Sequence, residues 1–171
     1  MIETERLLLR RPSADDLPGL IEVHAHPEVE RFMGAWREHE AGSWLERVDR
    51  CWNVHGYGRL VVLEKLTGAL LGRSGLHWFD DLGEVELGWA LRREAWGRGY
   101  ASEAARAGLG WAFGDLGHPY VTSRIEPANE RSINLATRLG MGEVRTDLWR
   151  GRPFRVFAIT QERWRERASA L

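Results

Sequence analysis

A single cysteine, Cys51, in 171 residues excludes a disulfide within the chain. A reducing, cytoplasmic setting is the simplest expectation for such a sequence. A basic surplus is also missing, because 24 Lys and Arg stand against 25 Asp and Glu, for a formal net charge of −1. Backbone phosphates are bound by positive charge, so nucleic acid is not expected as a partner. No apolar run approaches the ~20 residues of a membrane-spanning helix. The amino terminus lacks the basic-then-apolar order of a secretory signal, so no membrane partner is expected either. His24, His26 and His39 have no Cys or carboxylate cluster at ligand spacing, and no metal site is expected. The length suffices for one core and is short for two, so residues 1–171 read as a single domain. Nine Trp are present; they read as packing residues unless their positions say otherwise.

The chain is organised around residues 84–116. Val85, Leu87, Trp89 and Leu91 alternate as on a strand with one buried face. Gly97 and Gly99 follow in a tight turn. Ala101, Ala104, Ala105, Gly108, Leu109, Ala112 and Leu116 then recur at helical spacing, with Glu103 and Arg106 on the opposite face. The inner face of this helix is small-sided, so it can lie close to a sheet. The first N–H groups of a helix lack internal partners, and the helix dipole favours negative charge there. The turn is therefore an anion site, with Arg93 and Arg98 beside it as phosphate partners. Neither a P-loop ending nor the third glycine of a dinucleotide fingerprint is present.

Trp96-Gly97-Arg98-Gly99-Tyr100-Ala101-Ser102-Glu103-Ala104, preceded by Glu86-Leu87-Gly88-Trp89, resembles the acyl-CoA pyrophosphate loop of the GNAT N-acetyltransferases. It is most similar to the branch that includes the ribosomal-protein N-terminal acetyltransferases, as is the opening Arg6-Leu7-x-Leu9-Arg10. Trp96 stands where the superfamily usually has Gln or Arg. A second motif, Asn129-x-x-Ser132 with the Leu139-Gly140-Met141 ending, is also similar to the family's. The resemblance implies a GNAT-like α/β fold: a mixed, mainly antiparallel sheet flanked by helices and splayed between the central strand and the parallel strand after it.

The resemblance further implies the chemistry, which is acetyl transfer from acetyl-CoA to a primary amine by direct attack. Pantetheine would add to the strand as an extra strand at Leu87, Trp89 and Leu91. The pyrophosphate would sit on Trp96, Gly97, Arg98, Gly99, Tyr100 and Ala101. Asn129, otherwise a helix cap, would contact the pantetheine arm. Glu86 is the candidate base through one water, with Glu84 as the fallback two residues earlier on the same face. Ser132 or a water would protonate the leaving thiolate, because Ala136 occupies the position where relatives often carry a Tyr acid.

Phe32 and Trp36 read either as acceptor-pocket lining or as packing against the first helix. The acceptor is a protein N-terminus or a small amine, and relatives are often homodimers. A non-catalytic acyl-CoA-binding module is the alternative function.

Elsewhere, 3–10 reads as a strand, with helices ending near His24 and spanning Glu38 to Trp52. Arg31–Arg37 reads as their connection. Strands are expected at Arg59 to Glu64, Leu70 to His77 and Tyr120 to Glu126. The short links before Glu84 predict antiparallel pairing, and the strand–helix–strand order after it predicts a parallel pair. A last hairpin carries Arg145, Arg150, Arg152 and Arg155. It reads as a solvated turn or as an attractor of an acidic acceptor.

Overall fold

The computed structural model describes residues 1–149 and 151–169. Eight strands form one sheet: β1 (Ile2–Glu3), β2 (Leu7–Arg10), β3 (Arg59–Glu64), β4 (Leu70–Phe79), β5 (Glu84–Leu91), β6 (Tyr120–Ile125), β7 (Gly142–Trp149) and β8 (Arg152–Thr160). Their order is β1-β2-β3-β4-β5-β6-β8-β7. All neighbours are antiparallel except β5 and β6. The helices are α1 (Leu17–Ala25), α2 (Pro27–Met33), α3 (Glu38–His55), α4 (Tyr100–Phe113), α5 (Glu130–Leu139) and α6 (Gln161–Ser169). None is long and apolar enough to cross a membrane among the described residues.

The antiparallel pairing before β5 and the parallel pair after it are as the connection lengths predict. Three local readings differ. The first strand is broken, because Thr4 folds back on Leu7: its N–H donates to the Leu7 carbonyl and its Oγ1 accepts the Leu7 N–H. Residues 27–33, expected to include part of a connection, form α2. Pro27 supplies a prearranged first turn, and the His26 ring accepts from the Glu28 N–H. Seven residues are too few for a 3.6-residue period to stand out. The long helix stops at Phe113, short of Leu116.

The small-sided face of α4 does what its composition predicts. Ala104, Ala105, Leu109 and Ala112 are fully buried. A Cβ added at Gly108 would come within 2.7 Å of a Leu87 methyl, so the helix lies directly on the central strand. That core joins Val85, Leu87, Leu109, Leu135, Leu139, Phe157 and Ile159. On the other face, Val61 packs against Leu20, Trp44 and Val48 from α1 and α3. Arg59, Arg73, Gly75, His77, Glu84 and Glu86 fall on this second face by register and alternation.

Candidate active site

A 3-10 turn at Arg93–Ala95 and the residues Trp96–Gly99 link β5 to α4. Gly97 and Gly99 have φ of +73° and +81°, a region that residues with a Cβ enter only at a cost. The consecutive N–H groups from Gly97 to Ser102 meet no acceptor among the described residues. Unpaired donors at the positive end of a helix form a cradle for oxyanions. Arg98 lies over the Tyr100 ring, 4.8 Å from its centroid. Arg93 and Arg131 lie over Trp96 at 5.1 and 4.9 Å, and the Trp96 indole donates to the Leu91 carbonyl at 2.8 Å. Tyr100 offers only its backbone, because its ring is buried and its hydroxyl donates to Glu64.

The amino-terminal segment props this loop. The Arg6 guanidinium donates to the Arg98 carbonyl at 2.9 Å. Glu103, expected on the open face of α4, instead accepts from Thr4 Oγ1 at 2.5 Å, from the Arg6 N–H at 2.8 Å and from Arg6 Nε at 2.7 Å. The sequence pattern of α4 alone does not reveal this, because the partners come from the link between β1 and β2, 97 to 99 residues away.

β5 and β6 separate almost as soon as they meet. Glu86 and Thr122 are their one register pair. Thr122 Oγ1 then reaches the Val85 carbonyl at 3.2 Å, and Ser123 Oγ reaches the Leu87 carbonyl at 2.7 Å. Val85 and Leu87 therefore turn their backbone groups toward β6, and by the two-residue alternation Trp89 and Leu91 do so too. Beyond Leu87 no strand meets them on that side. The result is a split in the sheet that exposes an extended strand edge and leads to the oxyanion cradle.

On the α1 and α3 face, arginines dominate. Arg59 runs across the sheet from β3, donating to the Gly75 carbonyl and to Glu86 Oε1, each at 2.6 Å. Glu86 Oε2 accepts from Arg124 at 2.9 Å. Glu84 accepts from Arg124 at 3.0 Å and from Arg145 at 2.8 Å. Hydrogen bonding to Arg145 also holds the Asp147 carboxyl below its usual range. His77 lies opposite Glu86 in register. Burial, then Arg59, push its pKa down to about 4, so the ring is neutral at pH 7. The floor under Arg59 is glycine: a Cβ at Gly88 would lie 2.8 Å from its guanidinium carbon. Gly88→Ala is therefore expected to displace Arg59 from Glu86 at a cost of about 1–3 kcal/mol, read as a lower urea midpoint with an unchanged slope.

The sequence profile described as the acetyltransferase (GNAT) domain matches residues 6–142. The chain belongs to the GNAT acetyltransferase family. It is 29% identical over 140 residues to an uncharacterised N-acetyltransferase, p20, of Bacillus licheniformis, covering 80% of this chain and 79% of that one. The structure of an acetyltransferase from Agrobacterium tumefaciens superposes with a TM-score of 0.82 at 29% identity, over 92% of each chain. A Vibrio cholerae structure named for ribosomal-protein-serine acetylation shares the fold at a TM-score of 0.77. Its identity is 22%, over 93% of this chain and 96% of that one.

In this GNAT domain the second motif caps α5 at the edge of the split. Asn129 Oδ1 accepts the Ser132 N–H at 3.2 Å, which leaves the amide NH2 of Asn129 for other partners. Ser132 Oγ accepts from the Trp89 indole N–H at 3.2 Å, so the hydroxyl proton is free to be donated. Ala136 is fully buried in the core. Trp36 stacks on His24 at 3.7 Å and stands beside Arg73, whereas Phe32 is half-buried on α2 with Arg31 over its ring. The basic hairpin is neutralised locally: Arg145, Arg152 and Arg155 pair with Glu84, Glu126 and Glu143. Arg150 lies outside the described residues. Sequence reasoning missed Arg59, Arg73, His77, Arg124 and Arg131, since single residues on separate elements carry no spacing signal.

Proposed function

We propose that this GNAT domain transfers an acetyl group from acetyl-CoA directly to a primary amine. The observation that carries this reading is the continuity between the split edge at Trp89–Leu91 and the unpaired N–H groups of residues 97–102. Acetyl-CoA supplies the activated acetyl thioester. The backbone of Trp89 and Leu91 would hold its extended arm by strand addition, and Gly97–Ser102 with Arg98 and Arg131 would hold its pyrophosphate. Glycine at 97 leaves open space there, with no atom within 4 Å of a notional Cβ.

Glu86 takes the proton of the acceptor amine through one water, because two of its lone-pair sites remain after Arg59 and Arg124 are bound. Neutral His77 is the second candidate base, and the arginine pair on Glu86 favours testing it. Ser132 protonates the departing thiolate with the proton that the Trp89 bond leaves free. Direct attack is favoured over an acyl-enzyme by Cys51, the chain's one cysteine: it is buried, and burial raises its thiol pKa.

Thermal unfolding with acetyl-CoA, ATP and NADH tests the donor. Acetyl-CoA at a hundred times its dissociation constant is expected to stabilise the fold by about 2.7 kcal/mol, with no comparable effect of ATP or NADH. Gly99→Val places a side chain at φ +81° and is expected to remove most of that rise. Acetyl-CoA binding without amine-dependent thiol release would instead select the non-catalytic acyl-CoA-binding module.

A further inference from the structure

Among the described residues, Arg73 is a buried cation of the α1 and α3 face with no ion-pair partner. It is 7% exposed. Glu84, Glu86 and Asp147 are each shared by guanidinium groups of Arg59, Arg124 and Arg145, and none of them reaches Arg73. Its Nε donates to His24 Nε2 at 3.4 Å. His24 is itself fully buried, and burial followed by the Arg73 charge pushes its pKa down to about 3. Its Nδ1–H donates to the Gly34 carbonyl at 3.2 Å, which leaves Nε2 as an acceptor. A neutral imidazole orients a guanidinium and does not neutralise it.

The rest of the surroundings sharpen that imbalance. Trp36 and Trp44 lie 5.2 and 5.7 Å from the Arg73 Cζ, giving the cation π faces and a low-dielectric wall. Its two Nη groups meet no acceptor among the described residues, yet neither is sealed from solvent. Two further positive charges, Arg59 and Arg47, are close enough to lower its affinity for a proton, after burial, while Glu86 raises it. Arg47 is exposed on α3 and has no ion-pair or hydrogen-bond partner among the described residues. An unneutralised buried charge destabilises a fold unless something else supplies the counter-charge. Arg73 shares its face of the sheet with Glu86 and His77 by register and alternation.

We propose that the acceptor is a small amine bearing a compact oxyanion, a carboxylate or a phosphonate, which docks on the Nη edge of Arg73. The inference rests on the acetyl-transfer reading of the same site. A planar fork with two free donors suits a carboxylate or phosphonate, and the narrow exposure of Arg73 admits a compact group. Arg47, exposed on α3 and close enough to act on Arg73, adds attraction for the anion.

Two experiments test the docking. In the first, the 15N-labelled protein is titrated with acetate, methylphosphonate and ethylammonium, and the Arg73 Nε–H resonance is followed. The two anions are expected to move it, ethylammonium is not, and Arg47→Glu, a surface change, weakens the anion effect several-fold. In the second, thiol release is measured with α-amino acids, 2-aminoethylphosphonate, amino-acid amides, ethylamine and spermidine. Anionic acceptors are expected to lead, and Arg73→Met to lower their kcat/KM by roughly 10- to 100-fold, as for loss of a charged hydrogen bond, with amides little changed. The carboxylate and phosphonate arms separate the two sources of oxyanion.

If acetyl-CoA stabilises the protein but neither anion moves Arg73, or amides and spermidine turn over as well as acids, the docking inference fails and acetyl transfer stands. If the anions engage Arg73 and acetyl-CoA does not bind, acetyl transfer fails and the anion site stands.

Discussion

Replacing Glu86 with alanine is expected to lower stability by about 3–5 kcal/mol, because it strands a buried guanidinium. Arg59 would lose its one carboxylate partner, while Arg124 would keep Glu84 and Asp147. Acetyl transfer is expected to fall about 100- to 10,000-fold if Glu86 takes the amine proton. Glu86→Gln separates the two roles. It keeps the shape and an acceptor oxygen, so it should unfold at a urea concentration nearer that of the wild type, yet it cannot take a proton. A glutamine variant with kcat within about threefold of the wild type would exclude Glu86 as the base and leave His77 and Glu84. Whichever of His77→Gln and Glu84→Gln then shows the larger loss in kcat would name it.

Acidification is expected to cost several kcal/mol before the carboxylates titrate. His24 and His77 have folded-state pKa values pushed down to about 3 and about 4, burial being the main cause in each, against about 6.5 in an unfolded chain. Between those values the unfolded chain binds more protons than the folded one, so stability rises with pH. The contribution is complete above about pH 6.5 and is lost progressively as pH falls through 4 toward 3. Urea midpoints at pH 7.5, 6 and 5 should therefore fall steadily. In His24→Gln, which retains an acceptor for Arg73 and a donor for Gly34, the slope should flatten by about 1.4 kcal/mol per pH unit. A midpoint that stays level from pH 6.5 to 5 would mean that these imidazoles are not buried in their neutral form.

The cradle was legible because its signals are local. A two-residue alternation, two glycines and a run of small residues lie within about thirty consecutive positions, and each dictates a backbone conformation or a close approach. The Asn129 to Ser132 cap is equally local, three residues across one helix start. The face under α1 and α3 was far less legible. Glu86 and Glu84 stood out because they lie on the same strand as the cradle. Their partners Arg59, Arg124 and Arg145 come from β3, β6 and β7. Glu103 shows the same limit from the other side: its helical position marks it as exposed, and the crossing of the amino-terminal segment makes it an anchor.

By itself the sequence determined the β5 strand, the glycine turn and the start of α4, and the order of pairing around them, because hydrogen bonding along the chain and short connections leave few alternatives. Tertiary structure alone decided the charge pattern of the face under α1 and α3. Ion pairs join side chains that are tens of residues apart, and whether a given arginine is neutralised, as Arg59 is, or left open, as Arg73 is, depends on which carboxylates the folded sheet brings within reach. Charge attraction of that kind acts through distance in space, which sequence spacing does not record.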